Sequence, residues 1–155
     1  MLNHKPQNKM KQLFLILSVV VLAFGLTSCG GYDLKKCEQL QEKIQSGDDL
    51  TQDDYAEMIS QAQALNAYLC GIADKMADVK DGDDFQTLSE ESAEQGNYYQ
   101  KFVNRLESAE MMDELEGANV DAYKELKNAN EVLNDRLKNA FEAAFKAGGA
   151  AALGQ

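Results

Sequence analysis

The sequence predicts an all-α protein: an up-down antiparallel helical bundle of one short and three long helices, placed after a cleaved signal peptide. Three observations carry this expectation. Apolar residues recur at alternating spacings of 3 and 4 along two long stretches, the period of one helix face. No run alternates apolar and polar residues between turn residues, as a half-buried strand would. Glycine and aspartate cluster at Ser46–Asp49, Asp81–Asp84 and Gly117, and glycines again at Gly148–Gly149, cutting the chain into helix-length pieces.

The first helix is expected over residues 33–45, with Leu34, Cys37, Leu40 and Ile44 on one side. Gly47 ends it, because glycine takes the left-handed C′ position at little cost. Thr51 then caps the second helix, with Asp54 three residues on at capping-box spacing, and Leu50 and Tyr55 stand at staple positions. The second helix, over about 52–79, has the cleanest pattern in the chain. Tyr55, Met58, Ala62, Leu65, Leu69, Ile72, Met76 and Val79 are all apolar. Such a stripe belongs to a helix packed lengthwise along a partner at a shallow angle. At 1.5 Å per residue it is about 42 Å long.

After the break at Asp81–Asp84, Phe85 and Leu88 restart an apolar face. Ser89 to Asn97 is polar and contains Gly96, so the third helix should be weak or interrupted there. It resumes through Tyr99, Phe102, Leu106, Ala109 and Met112, and Gly117 closes it. Asn119 is the expected cap of the fourth helix. Its stripe is Tyr123, Leu126, Asn130, Leu133, Leu137, Ala140 and Ala144, widened by Phe141 and Phe145. Gly148–Gly149 stops it, leaving residues 148–155 as a flexible tail. Short linkers imply antiparallel neighbours. No repeat of solenoid length is evident.

The N-terminal segment has a different character. Lys5, Lys9 and Lys11 precede the apolar run Leu13 to Leu26, and Leu26-Thr27-Ser28-Cys29 follows. This is the layout of a secretory signal. A run of 14 apolar-region residues is short of the ~20 that span a bilayer as a helix. The four residues resemble the lipobox of bacterial lipoproteins at every position. That resemblance implies cleavage after Ser28, so that residues 1–28 are signal peptide, with acylation of Cys29 and residues 29–32 as a lipidated tether. The bundle domain then covers residues 33–147. The start Ser28-Cys29-Gly30 and the Leu-Thr-x-x-Asp-Tyr beginning of the second helix at Leu50–Tyr55 resemble small uncharacterised helical lipoproteins of Bacteroidota. Gly30 follows the cysteine where an inner-membrane retention aspartate would stand, and no acidic cluster follows it. The resemblance therefore implies the outer membrane, with the domain facing the periplasm.

Removing residues 1–28 leaves 127 of the 155 residues, enough for one domain with its own core. His4 and Pro6 leave with the signal. So do three of the 15 basic residues and none of the 26 acidic ones, and the net charge moves from −11 to −14. A surface this acidic repels nucleic acid and anionic headgroups. No nucleic-acid partner is expected. The bilayer is engaged through acylated Cys29, and triple acylation exceeds the two signals that stable anchoring requires.

The same composition removes whole classes of chemistry. Without a histidine in the mature chain, zinc sites of the usual kinds and Glu-x-x-His di-iron sites cannot form. No metal ligands, catalytic residues or cofactors are assigned. Setting Gly82 at the invariant glycine of a calcium loop puts Ala77, Val79 and Leu88 at ligand positions, which fails. Asp48–Asp49 and Asp83–Asp84 read instead as acids favoured at helix N-termini. No Gly-x-Ser-x-Gly elbow or glycine-rich phosphate loop occurs.

Cys37 and Cys70 remain open to two readings. An oxidising compartment favours a disulfide between them. In a hairpin turning near residue 49, however, Cys37 faces about residue 61. Cys70 then lies ~13 Å further along the axis, beyond the ~7 Å reach of a bridge. Asn130 interrupts an apolar stripe and reads as a partly wet residue at the seam's edge, rather than a buried contact in a ligand site. Of the aromatic cluster, Tyr99 and Phe102 belong to the core by spacing, leaving Tyr98 as the exposed member.

The expected function is that of an envelope lipoprotein, a non-enzymatic protein-interaction or structural module with an envelope protein partner. A small-molecule or cation-binding helical module is the alternative, and an enzyme using paired carboxylates comes last.

Overall fold

The computed structural model describes residues 31–148, which form five α-helices and no strand. The expected signal peptide, Cys29 with its expected acylation, and the tail beyond Gly148 lie outside the described residues.

Helix α1 spans Leu34–Ser46. The Asp33 carboxylate caps it, accepting hydrogen bonds from the backbone of Lys35 and Lys36 at 3.0 and 3.3 Å. Gly47 ends it at φ 71°, as its position predicts. Cys37 and Leu40 are buried, while Leu34 at the first turn is exposed. Helix α2 spans Gln52–Asp78, opened by the expected capping box of Thr51 and Asp54. The predicted stripe from Tyr55 to Met76 is buried throughout, and Val79, just past the helix end, is half-buried.

The third expected helix is in fact two, α3 (Gly82–Glu91) and α4 (Ala93–Met111). The described bundle therefore has five helices, not one short and three long. The break falls at Ser92, within the polar stretch Ser89 to Asn97 where the sequence predicts a weak or interrupted helix. Ser92 is buried, and its hydroxyl donates to Leu88 O at 2.8 Å, the local competition with helical bonding that serine side chains offer. Helix α4 ends at Met111, short of Gly117. Asp113 turns left-handed at φ 55° and Glu114 N donates back to Ala109 O at 2.8 Å. Met112 thus leaves the apolar stripe and is 58% exposed. Buried Leu115 pins the following loop.

Helix α5 spans Ala118–Gly148. Asn119 lies inside its first turn and is not its cap. Buried, it donates from Nδ2 to Gln52 O and Gln52 Oε1, both at 2.9 Å, and so joins the starts of α2 and α5. Phe141 and Phe145 do not widen the core; they are 51% and 55% exposed. Tyr98 is the opposite correction. It is buried with its ring centroid 6.2 Å from that of Phe102.

Side-chain pairs fix how the helices run. Lys43 meets Asp54 at 2.6 Å and Cys37 meets Gln61, so α1 lies antiparallel to α2. Arg105 meets Tyr55 at 2.9 Å and Tyr99 meets Asn66 at 2.9 Å, so α4 is also antiparallel to α2. Asn119 pairs with Gln52, Ala129 with Asn66 and Arg136 with Asp74, so α5 runs parallel to α2. Helices α2 and α5 share the most extensive contact. Buried alanines on both, Ala62 and Ala73 against Ala122, Ala140 and Ala144, suit a close approach. The main core surrounds the first two-thirds of α2. A smaller cluster of Ile72, Met76, Phe85, Ala140 and Ala144 fills the far end.

Candidate functional site

At the end of the bundle where α2 and α5 begin, polar side chains from separate elements converge. Tyr55 projects from the first turns of α2, Arg105 from the last turns of α4, and Glu114 from the loop that Asp113 bends back. Tyr55 donates its hydroxyl to Glu114 Oε2. One Arg105 terminal nitrogen, Nη2, donates to that same oxygen at 2.8 Å and to the Tyr55 hydroxyl at 2.9 Å. The guanidinium also lies 5.5 Å from the centroid of the Tyr55 ring, within cation–π range. The other terminal nitrogen, Nη1, is enclosed and has no partner.

Gln52 fastens the loop behind this triad. Its Nε2 donates to Glu114 O at 2.7 Å, and its Oε1 accepts from Glu116 N at 3.1 Å and from Asn119. A cleft of about 460 Å³ opens beside the triad, bounded by Asp48, Asp49 and Leu50 of the α1–α2 turn.

The electrostatics follow from the contacts. Hydrogen bonds from Tyr55 and then Arg105 hold the Glu114 carboxyl below its ordinary value. Burial, and next the bond to Glu114, push the Tyr55 phenol up to about 12. Near neutral pH the triad therefore presents an ionised carboxylate, a neutral phenol and a guanidinium. The direction is the same elsewhere. Burial pushes up the Cys37 thiol and the Tyr123 phenol, each to about 12, and raises Cys70, Tyr68, Tyr98 and Tyr99. A hydrogen bond from Lys43 lowers Asp54. All these groups move away from neutrality, whereas a general acid or base works best near the operating pH.

The other residues singled out by the sequence are scattered. Cys37 and Cys70 are free thiols. Cys37 Sγ donates to Gln61 Oε1 at 3.7 Å, the opposition that hairpin geometry predicts, and Cys70 Sγ donates to Asn66 Oδ1 at 3.6 Å. Asn130 is half-buried and accepts from the Tyr99 hydroxyl at 3.0 Å. Asp83 and Asp84 occupy the first turn of α3, where Asp81 is the cap. Asp48 and Asp49 sit in the turn ahead of Thr51. Among the described residues no group of three or more His, Cys, Asp or Glu side chains could hold a metal ion.

The buried polar residues went unseen in the stripe. Gln61 and Asn66 stand on the core face of α2, beside Met58, Ala62, Leu65 and Leu69 at helical spacings. A stripe widened to three or four positions per two turns includes both. The triad has no signal of that kind, because its members are 50 and 9 residues apart along the chain. Comparison with protein-family models, with curated proteins and with solved structures finds no match for this chain.

Proposed function

We propose that the protein is a bacterial envelope lipoprotein, acylated on Cys29 after cleavage at Ser28 and held at the outer membrane facing the periplasm. Its helical domain acts by binding an envelope protein partner or as a structural element, without catalysing a reaction. The observation that carries the anchor is Leu26-Thr27-Ser28-Cys29 directly after a short apolar run. The non-enzymatic reading is supported by the direction of the perturbed groups, all away from the range useful for proton transfer. We read the helices as an up-down bundle in which α3 and α4 together make the third leg.

Metabolic labelling with a palmitate probe tests the anchor. The parent should carry label and Cys29→Ala should lose both label and lipoprotein-type processing. Label retained on Cys29→Ala would overturn the assignment. A second reading is a small-molecule or cation-binding module, favoured by the cleft beside Arg105 and Glu114 with its acidic rim. Thermal shift with candidate ligands, compared between the parent and Glu114→Gln, tests it.

A further inference from the structure

Two phenylalanines at the far end of α5 are half-exposed. Phe141 and Phe145 are four residues apart, so they share one helix face. The Phe141 ring lies 5.3 Å from that of Phe85, at the tip of the smaller core cluster. Arg136 pairs with Asp74 at 2.7 Å, so residues beyond Phe141 lie past the end of α2 at Asp78. The rings are therefore at the tip of the bundle opposite Arg105 and Glu114.

The described residues upstream of α1 head for the same tip. Helix α1 runs antiparallel to α2, so tracing it backwards moves toward the C-terminal end of α2. Tyr32 already stands beside Tyr68, centroids 5.4 Å apart, and accepts from Gln95 Nε2 at 3.0 Å. Cys29 is three residues further back and can reach at most about 10 Å beyond Tyr32. Tyr68 to Asp78, where α2 ends, is ten residues, ~15 Å along the axis. At full extension the tether leaves Cys29 ~5 Å short of the level of Asp78, on the side of the Phe141–Phe145 tip, and it is far too short to reach the opposite end.

We propose that this tip rests on the bilayer surface, with Phe141 and Phe145 in the headgroup layer. The proposal rests on acylation of Cys29. On helices lying in a membrane interface, phenylalanine rings bury at the boundary of headgroups and acyl chains. Two rings alone would not anchor a protein, but a lipid already inserted makes their contact intramolecular and raises their effective concentration. On α5 itself Lys138 and Lys146 flank the rings against Glu142 alone, whereas the adjacent turn carries Asp81, Asp83 and Asp84. The contact is accordingly apolar and does not depend on anionic headgroups. It sets the domain end-on, with the Arg105–Glu114 cleft facing away from the membrane.

The chain has no tryptophan, so Phe145→Trp and Met112→Trp each install a single indole, at the tip and at the opposite end. Each acylated full-length variant is purified, its lipid confirmed by mass, and reconstituted into phosphatidylcholine vesicles with and without brominated acyl chains. The Phe145→Trp indole should emit at short wavelength and lose most of its emission to brominated lipid, while the Met112→Trp indole is unaffected. Long-wavelength, unquenched emission from acylated Phe145→Trp would overturn the orientation and leave the anchor intact. Short-wavelength emission that brominated lipid does not quench would overturn it too, because protein, a second copy or the chain's own C-terminus, then covers the ring. A mass without acyl chains refutes the anchor itself and the orientation with it.

Discussion

Asn66 on α2 donates a hydrogen bond of 2.9 Å to the Tyr99 hydroxyl on α4, at a level where the surrounding core is apolar. The same Nδ2 donates to Ala129 O on α5 at 3.0 Å, and the Tyr99 hydroxyl donates in turn to Asn130 Oδ1 at 3.0 Å. Three helices are therefore joined through two side chains. An apolar stripe lets helices slide and rotate against one another, but a polar contact of this kind is satisfied in one register only.

Removing Asn66 should cost more than removing one hydrogen bond. Asn66→Ala leaves a cavity and strips a partner from the Tyr99 hydroxyl, a loss of roughly 1–3 kcal/mol. Tyr99→Phe should cost less, about 1 kcal/mol, because Asn66 keeps Ala129 O and half-buried Asn130 can turn to water. The two losses should fall short of additivity in the double variant. Urea unfolding followed by helix circular dichroism checks this. Strict additivity would mean that the two side chains do not act together.

The elements legible in the sequence are those whose cause is local. The Thr51–Asp54 capping box, Gly47 at the left-handed position and the stripe of α2 depend on residues within a few positions of one another. The end of α4 was not legible, because an aspartate at φ 55° takes a place that glycine usually fills, and Gly117 offered the more familiar stop four residues later. Tyr98 and Phe145 show a second limit. Periodicity says which residues share a face, but which face is covered depends on where the other helices lie. Tyr98 is covered in the main core, whereas Phe145 projects beyond the end of α2. The Tyr55–Arg105–Glu114 triad lies wholly on that tertiary side.

Acid should weaken the fold partly through that triad. Glu114 and Asp54 have folded values below their ordinary 4.5 and 3.8. Each therefore contributes stability that is present above the ordinary value and lost as pH falls through the lowered one. Both carboxylates are partly exposed, which limits the contribution to below about 1 kcal/mol each. Lower pH also relieves repulsion among the other acids, so the informative quantity is a difference. Glu114→Gln should lose less stability than the parent between neutral pH and the carboxylate range. Parallel acid dependence of the two would show that Glu114 contributes nothing as an anion.

Alkali acts through the buried neutral groups. Cys37 is raised from 9.0 to about 12 by burial and then by Asp33, Glu57 and Glu38. Tyr55 and Tyr123 are raised from 10.0 to about 12. Their stabilising effect is complete below the ordinary values and is lost as pH climbs toward the raised ones, since the unfolded chain ionises first. Denaturant midpoints should fall across that window, and less steeply in Cys37→Ala. Thiol reagents should modify Cys37 only after unfolding, because the thiolate is the reactive form. Rapid modification of Cys37 in the native protein would contradict its enclosure beside Gln61.

The acidic surface separates a general field from a built cation site. Residues 29–155 carry a net charge of −14, so self-repulsion opposes the compact state at low ionic strength. Salt shortens the Debye length from ~30 Å at 0.01 M to ~10 Å at 0.1 M. Monovalent salt should therefore raise the melting temperature. Calcium should raise it no more than magnesium at matched ionic strength, because Asp83 and Asp84 sit in a helix's first turn and Asp48 and Asp49 in an open turn. A specific calcium site would instead stabilise by mass action, by about 2.7 kcal/mol at a hundredfold excess over its dissociation constant. A calcium-selective rise at sub-millimolar concentration, abolished by Asp83→Asn or Asp48→Asn, would replace the protein-interaction reading with the cation-binding one.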